Sequence, residues 1–464
     1  VVGPLAGLVF LALGTRWQQE LRERLGMPRL ETYDILRIIG VGVLTFAVLL
    51  LVARLIRLGT RALVRLLARW VPRPVAYGVG LTVAVYVVVG FFTGFLFDNM
   101  LAVADRTASL TNGGTSPGVS RPESGYRAGG PGSGIEWNTL GRQGRDFVAT
   151  GPSTTEIASF TGEPALVPIR VYAGLDSADS PGERARAVVG EMRRTGAFDR
   201  AVIAVVTPTG TGWVDSAVTD GLEYMYGGDT ALVSMQYSYL PSWISFLVDD
   251  AKVRESARAL IDAVRTEWLS MPAQERPKLL LFGESLGSFG TESAYPDLVT
   301  MASGADGVLL VGPPFANPIR RELMPVRQPG SPIWEPDFGT WPVEFARDPA
   351  DLRDLDQPVR VVYLQNSSVP IVWWTPELLM SSPDWLDHPR GPDISPDMHW
   401  YPGVTFWQTA VDQVFANSVP AGHGHVYGSG VADGWAALAA PAGWTDADTV
   451  RLRLLLDETG KKAE

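Results

Sequence analysis

The chain has 464 residues, 39 Lys and Arg against 50 Asp and Glu, and no cysteine. That length holds about two to four domains of ordinary size, and an apolar share of 46% is that of a globular protein, which excludes a disordered chain. A net charge of −11 excludes the basic face that non-specific nucleic-acid binding needs, and the lack of cysteine excludes disulfides, thiolate zinc sites, iron–sulfur clusters and a cysteine nucleophile.

The charge is unevenly spread. Residues 1–98 hold eleven Arg and five acids, a net of +6, so the remainder carries −17. Such an asymmetry points to two different surroundings. The chain opens on Val rather than Met and reads as a trimmed fragment with an apolar run over 1–15. A second run covers 35–56, with its charges, Arg37 and Arg54, near its ends, where long side chains reach the membrane interface. A third covers 75–97 without a charge, long enough at about 1.5 Å per residue to span a hydrocarbon core. Residues 1–98 are therefore predicted to be a multi-pass transmembrane region in the cell membrane. Residues 54–74 carry six Arg and no acid, which places that loop in the cytoplasm and everything after Asp98 outside. Within it, 58–71 reads either as an amphipathic helix on the inner leaflet or as a plain connector. The partners this implies are membrane lipids, with homo-oligomerisation through the membrane helices and no nucleic acid.

Residues 99–134, rich in Gly, Ser and Pro over much of their length, are predicted to be a flexible linker. From 135 to 464 short apolar runs alternate with helical patterns: 169–175, 201–208, 231–238, 278–285, 307–314 and 359–366. Continuous apolar strands separated by helices predict an α/β fold, a doubly wound, mostly parallel sheet covered on both faces.

Gly283-Glu284-Ser285-Leu286-Gly287 fits G-x-S-x-G, and so does Gly114-Thr115-Ser116-Pro117-Gly118. Only Ser285 follows an apolar strand and opens a helical stretch, the context of a nucleophile elbow; Ser116 lies in the predicted linker. An acyl-transfer serine needs an oxyanion hole and a base. The expected donors are the N–H of Leu286 and those of Thr209, Gly210, Thr211 and Gly212, in the loop after an earlier strand. The base is expected in the late loop Pro420–Gly428, which holds His423 and His425, with His425 favoured. An acid is expected after the strand at 359–366, yet residues 366–370 contain none; the nearest downstream are Glu377, Asp384, Asp387, Asp393 and Asp397. Trp243, Trp373 and Trp374 are candidates for an acyl pocket. No metal site and no cofactor is expected, because the histidines lack H-E-x-x-H spacing and no G-x-G-x-x-G opens a βαβ unit.

The segments WNTLGRQGRDFV (137–148), TPTGTGWVD (207–215), LFGESLGSFG (281–290), VGPPFANP (311–318), YLQNSSVPIVWW (363–374), RGPDISPDMHW (390–400) and GHGHVYG (422–428) resemble the membrane-anchored α/β-hydrolase family common in actinobacteria. That family joins N-terminal membrane helices to an extracytoplasmic α/β-hydrolase domain. The resemblance implies a serine nucleophile at Ser285, a base in the GHGH segment and an Asp before Pro370, where this chain has Val369. Three readings follow: a serine hydrolase acting on an ester of a lipid or cell-envelope molecule, an acyltransferase using the same serine, and a catalytically impaired binding or scaffold protein.

Overall fold

The computed structural model describes residues 2–91, 94, 97–241, 244–245, 250–353, 355 and 357–463. The chain divides into two compact units, Val1–Ala108 and Ser109–Glu464.

The first unit is helical: α1 (Val2–Arg24), α2 (Thr32–Leu67), α3 (Arg73–Gly90) and α4 (Phe97–Asn112), the last crossing the division. Glu31 and Asp34 form a capping box at the start of α2, satisfying N–H groups that the helix itself cannot. α3 buries Ala76, Gly80 and Ala84, small residues at four-residue spacing. A Cβ on Gly80 would stand 3.2 Å from the Thr60 carbonyl oxygen, and one on Gly59 would stand 3.3 Å from the Ala84 Cβ. Small residues thus let α2 and α3 approach closely, as apolar helices do where lipid supplies no hydrophobic drive between them. Among the described residues, α2 and α3 are long and apolar enough to cross a membrane, by length and composition. The run at 1–15 lies in α1, which does not meet that test. The 58–71 stretch is not separate: α2 continues through it to Leu67. Of the run at 75–97, α3 covers the part up to Gly90, and residues 92–93 and 95–96 lie outside the described residues.

The predicted linker needs correction. Residues 97–112 are helix α4, and those that follow are fastened to the second unit rather than loose. The Ala128 N–H donates to the Arg170 carbonyl at 3.0 Å, and the Arg170 N–H to the Tyr126 carbonyl at 3.3 Å. Arg145 Nη1 donates to the carbonyls of Gly113 and Gly114 at 2.9 and 2.7 Å. Composition misled here because these bonds come from distant arginines, not from any local apolar pattern. Ser116, the second G-x-S-x-G serine, donates to Asp146 at 2.8 Å and has a structural role.

The second unit is built on seven strands: β1 (Ile169–Ala173), β2 (Val202–Thr207), β3 (Thr230–Met235), β4 (Lys278–Glu284), β5 (Gly307–Val311), β6 (Val343–Ala346) and β7 (Val361–Leu364). All pair parallel, in the order β1-β3-β2-β4-β5-β7-β6. β6 was not predicted; four residues give too short a pattern to recognise. The helices used below are α5 (Pro181–Thr195), α6 (Ser216–Met225), α7 (Asp250–Ser270), α8 (Leu286–Ser293), α9 (Pro370–Trp373), α10 (Val404–Asp412) and α11 (Val431–Ala439). Phe282 packs on Trp435 of α11, with ring centroids 5.9 Å apart, while the next residue, Gly283, lies against Gly287 of α8. Successive strand residues point to opposite faces, so α8 and α11 cover opposite faces of the sheet. That double cover is why the central strands are apolar throughout.

The register aligns the functional end. Thr207 pairs with Gly283, Glu284 with Val311, and Val311 with Leu364. The loops after β2, β4, β5 and β7 therefore leave the sheet from one row at its carboxyl edge, where ligands bind in open α/β sheets.

Candidate active site

Ser285 joins β4 to α8 with φ 53° and ψ −125°, the only non-glycine residue with positive φ among the described residues. Such backbone costs about 1–3 kcal/mol and persists only where its surroundings enforce it. The neighbouring glycines explain how. A Cβ on Gly283 would strike the Gly287 backbone, and one on Gly287 would strike the Thr207 carbonyl. The absence of both lets α8 sit directly on β2 and β4. The Ser285 N–H donates to the Val311 carbonyl at 2.8 Å, and Ser288 donates to the Ser285 carbonyl from its N–H at 2.9 Å and its hydroxyl at 2.7 Å. Ser285 is 6% exposed. Leu286 is the first residue of α8, so its N–H lacks an intrahelical acceptor and is available, with the helix dipole, to a developing negative charge.

The loop after β2 is more internally bonded than its sequence implies. The Thr209 N–H donates to the Trp213 carbonyl at 2.9 Å, and the Gly212 N–H donates to the Thr209 carbonyl at 2.7 Å. Tyr172 and Gln236 hold the carbonyls of Gly212 and Thr211, at 2.8 and 2.7 Å. Of the expected oxyanion donors, Thr209 and Gly212 are engaged within their own turn.

The late loop separates the two histidines. His425 is buried, and its Cε1 and Nδ1 lie against Gly312, so closely that a Cβ there would collide. Gly312 follows Val311, the acceptor of the Ser285 N–H, so imidazole and serine share one corner of the sheet. Burial lowers the His425 pKa to about 4, which keeps the ring neutral at pH 7 as a general base requires. The loop is clamped from β7: Asn366 Nδ2 donates to the Gly424 carbonyl at 3.1 Å and the Val426 carbonyl at 3.4 Å, either side of His425, and the Gly424 N–H donates to Ser368 at 2.9 Å. His423 is more exposed, and its Nδ1 lies 3.2 Å from Asp393 Oδ2, an ion-pair distance without hydrogen-bond alignment. Ser368 also donates to that oxygen, at 3.3 Å.

Val369 lies one residue beyond this clamp, at the start of α9, and is fully buried. Around its turn, buried polar atoms lack a partner among the described residues: His425 Nδ1, Trp373 Nε1 and Arg320 Nη2. Arg320 lies over the Trp373 ring, 5.2 Å from its centroid, and the rings of His425 and Tyr427 are 5.7 Å apart. The region is short of an acceptor where a carboxylate was expected.

Sequence reasoning passed over two carboxyls. Glu284, beside the serine, is held well above the usual carboxylate range by burial and by the nearby Asp215 charge. Asp215 is itself raised to about 6 by burial, with Asp220 adding to the shift; its Oδ1 accepts from the Ala217 N–H at 2.8 Å at the start of α6. Burial thus disfavours a negative charge on Glu284 beside the serine. Its position inside the G-x-S-x-G motif was the available signal. Of the expected pocket residues, Trp373 is buried and Trp374 half-buried. Trp243 lies outside the described residues. Among the described residues no three His, Asp or Glu side chains could hold a metal ion together.

A parallel sheet with a strained serine between strand and helix, and a neutral buried histidine at the same edge, defines a protein of the α/β-hydrolase class. The Alpha/beta-hydrolase family model matches residues 169–452, and the model of that family's N-terminus matches residues 1–152. The chain belongs to the Alpha/beta-hydrolase family, which supports a hydrolase-type function in general terms. Comparison with curated proteins returns no match.

Proposed function

We propose that the protein is a membrane-anchored serine hydrolase that cleaves an ester of a lipid or envelope molecule. The observation that carries this reading is the enforced positive φ of Ser285 at the strand–helix turn, strain that a structural serine has no reason to hold. Ser285 Oγ attacks the ester carbonyl carbon and His425 accepts its proton. The Leu286 N–H, with an N–H of the loop after β2, stabilises the oxyanion. The alcohol leaves with the proton from His425, and water, activated by the same imidazole, cleaves the acyl-enzyme. Trp373 and Trp374 contribute to the acyl wall. The two apolar helices α2 and α3 supply the anchor, with the second unit outside the cytoplasm.

The test is turnover of p-nitrophenyl esters of increasing chain length by the intact protein and by Ser285→Ala. The reading expects hydrolysis that Ser285→Ala abolishes; equal rates for the two proteins would refute it. Product analysis with and without an alcohol acceptor separates hydrolysis from acyl transfer. A second reading, a non-catalytic binding or scaffold protein, is favoured by the burial of apolar Val369 where the orienting acid belongs.

A further inference from the structure

Helix α10 is inverted relative to a normal surface helix. Its inward residues are Thr405 and Thr409, both buried, while Val404, Trp407 and Val411 form the outer stripe at i, i+3 and i+7. Trp407 is 66% exposed and Val411 54% exposed, and Val414 and Phe415 extend the same stripe past the helix end. A contiguous apolar face of this kind on a soluble unit marks a contact surface.

The face runs on into the candidate active site. The rings of Trp407 and Phe406 are 5.2 Å apart, those of Phe406 and Trp374 5.2 Å, and those of Trp374 and Phe315 5.3 Å. This ladder descends from the exposed stripe to Phe315, three residues past Gly312, on which His425 packs. The helix is also tied to the base: the His425 N–H donates to the carbonyl of Ala416, just beyond α10, at 2.8 Å. α10 carries no cation, and Asp412 is its one charge.

We infer that the outer face of α10 docks on the acyl region of a zwitterionic lipid surface, from which an acyl chain follows the aromatic ladder to Ser285. Continuity of the face with the wall of the site argues for lipid as occupant. So does the presence in the same chain of α2, whose apolar window is wholly unburied. The acyl-chain part rests on the ester-hydrolase reading; the docking part does not.

Because the chain has no cysteine, a single introduced thiol reports one position cleanly. Val404→Cys and Val411→Cys, with Val299→Cys as the control, are labelled with nitrobenzoxadiazole in the full chain. Val299 is 75% exposed on the helix Leu298–Gly304 of the same unit. The labelled proteins are reconstituted in phosphatidylcholine vesicles carrying doxyl-labelled lipid. Quenching at 404 and 411 is expected to exceed that at 299 by about threefold or more, with a blue-shifted emission, as for a probe moved into an apolar medium. Equal, water-like signals at all three positions would overturn the inference. So would concentration-dependent self-quenching at 404 and 411 without doxyl sensitivity, which assigns the face to a second copy. This readout needs no turnover, so it stands or falls apart from the failure of the hydrolase reading.

Discussion

Asp393 Oδ2 stands 3.2 Å from Nδ1 of His423, while Nδ1 of His425, two residues further on, has no acceptor among the described residues. The acid therefore accompanies the more exposed histidine, and the buried histidine beside the Ser285 corner stands alone. A Ser–His pair without its third member keeps the base but loses its orientation, a deficit of up to about 10⁴ in turnover.

The two histidines are separable by substitution. His425→Ala is expected to lower kcat by about a thousandfold or more, and His423→Ala by about tenfold or less, since loss of a base removes the proton acceptor itself. Steady-state kinetics on a soluble ester checks this. The reverse ranking would assign the base to His423 and the acid to Asp393.

Val369→Asp places a carboxyl in the turn where His425 Nδ1, Trp373 Nε1 and Arg320 Nη2 lack partners. Turnover is expected to rise about a hundredfold or more as the imidazole gains its orienting acceptor. If wild type and variant both stay inert on a broad ester panel, the scaffold reading gains.

In the proposed mechanism His425 sets the acid limb of kcat/KM. With its pKa lowered to about 4, activity is expected to hold down to mildly acidic pH and to fall as pH passes below about 4. Stability follows the same group. In the unfolded chain the histidine takes up a proton near pH 6.5, but in the folded protein only near 4. Its contribution is therefore full above 6.5 and is lost as pH falls from 6.5 towards 4, by on the order of 3 kcal/mol. Asp215, raised to about 6, acts in the opposite sense: its carboxyl favours the folded state below about 4 and loses that advantage as pH rises towards 6. Comparing urea midpoints at pH 7 and 4.5 for wild type and His425→Gln isolates the histidine, because Asp215 is common to both. An equal midpoint shift in the two proteins would contradict the assignment.

Arg170 is fully buried and donates to both oxygens of Glu223, each at 2.7 Å, and to Asp220 at 2.7 Å. Removing it leaves Glu223 buried and uncompensated. Arg170→Met is expected to destabilise the second unit by about 3–5 kcal/mol, measurable by urea unfolding. The double change Arg170→Met with Glu223→Leu should recover much of that loss.

The central strands and the strand–helix turn at Ser285 are legible because both are written locally. Four to six consecutive apolar residues, as in β2, β4 and β5, mark a strand covered on two faces, and the glycines of the elbow mark where Cβ atoms would collide. What could not be read depends on distant partners. Residues 113–134 look like a tether because the arginines that fasten them, Arg145 and Arg170, lie further along the chain. Thr209 and Gly212 looked like free donors because their bonds form only when the loop closes on itself. Asp393 was one of five downstream acids, and only the folded chain sets it beside His423. Val369 is the converse case: its lack of an acid was plain in the sequence, but the unpaired donors around it are visible only in three dimensions.

The most direct test of the central claim is labelling of the intact protein with a fluorophosphonate, followed by mapping of the modified peptide. The account predicts one adduct on Ser285, abolished by Ser285→Ala and slowed by His425→Ala. A folded protein that takes no label, or takes it on another residue, would contradict it.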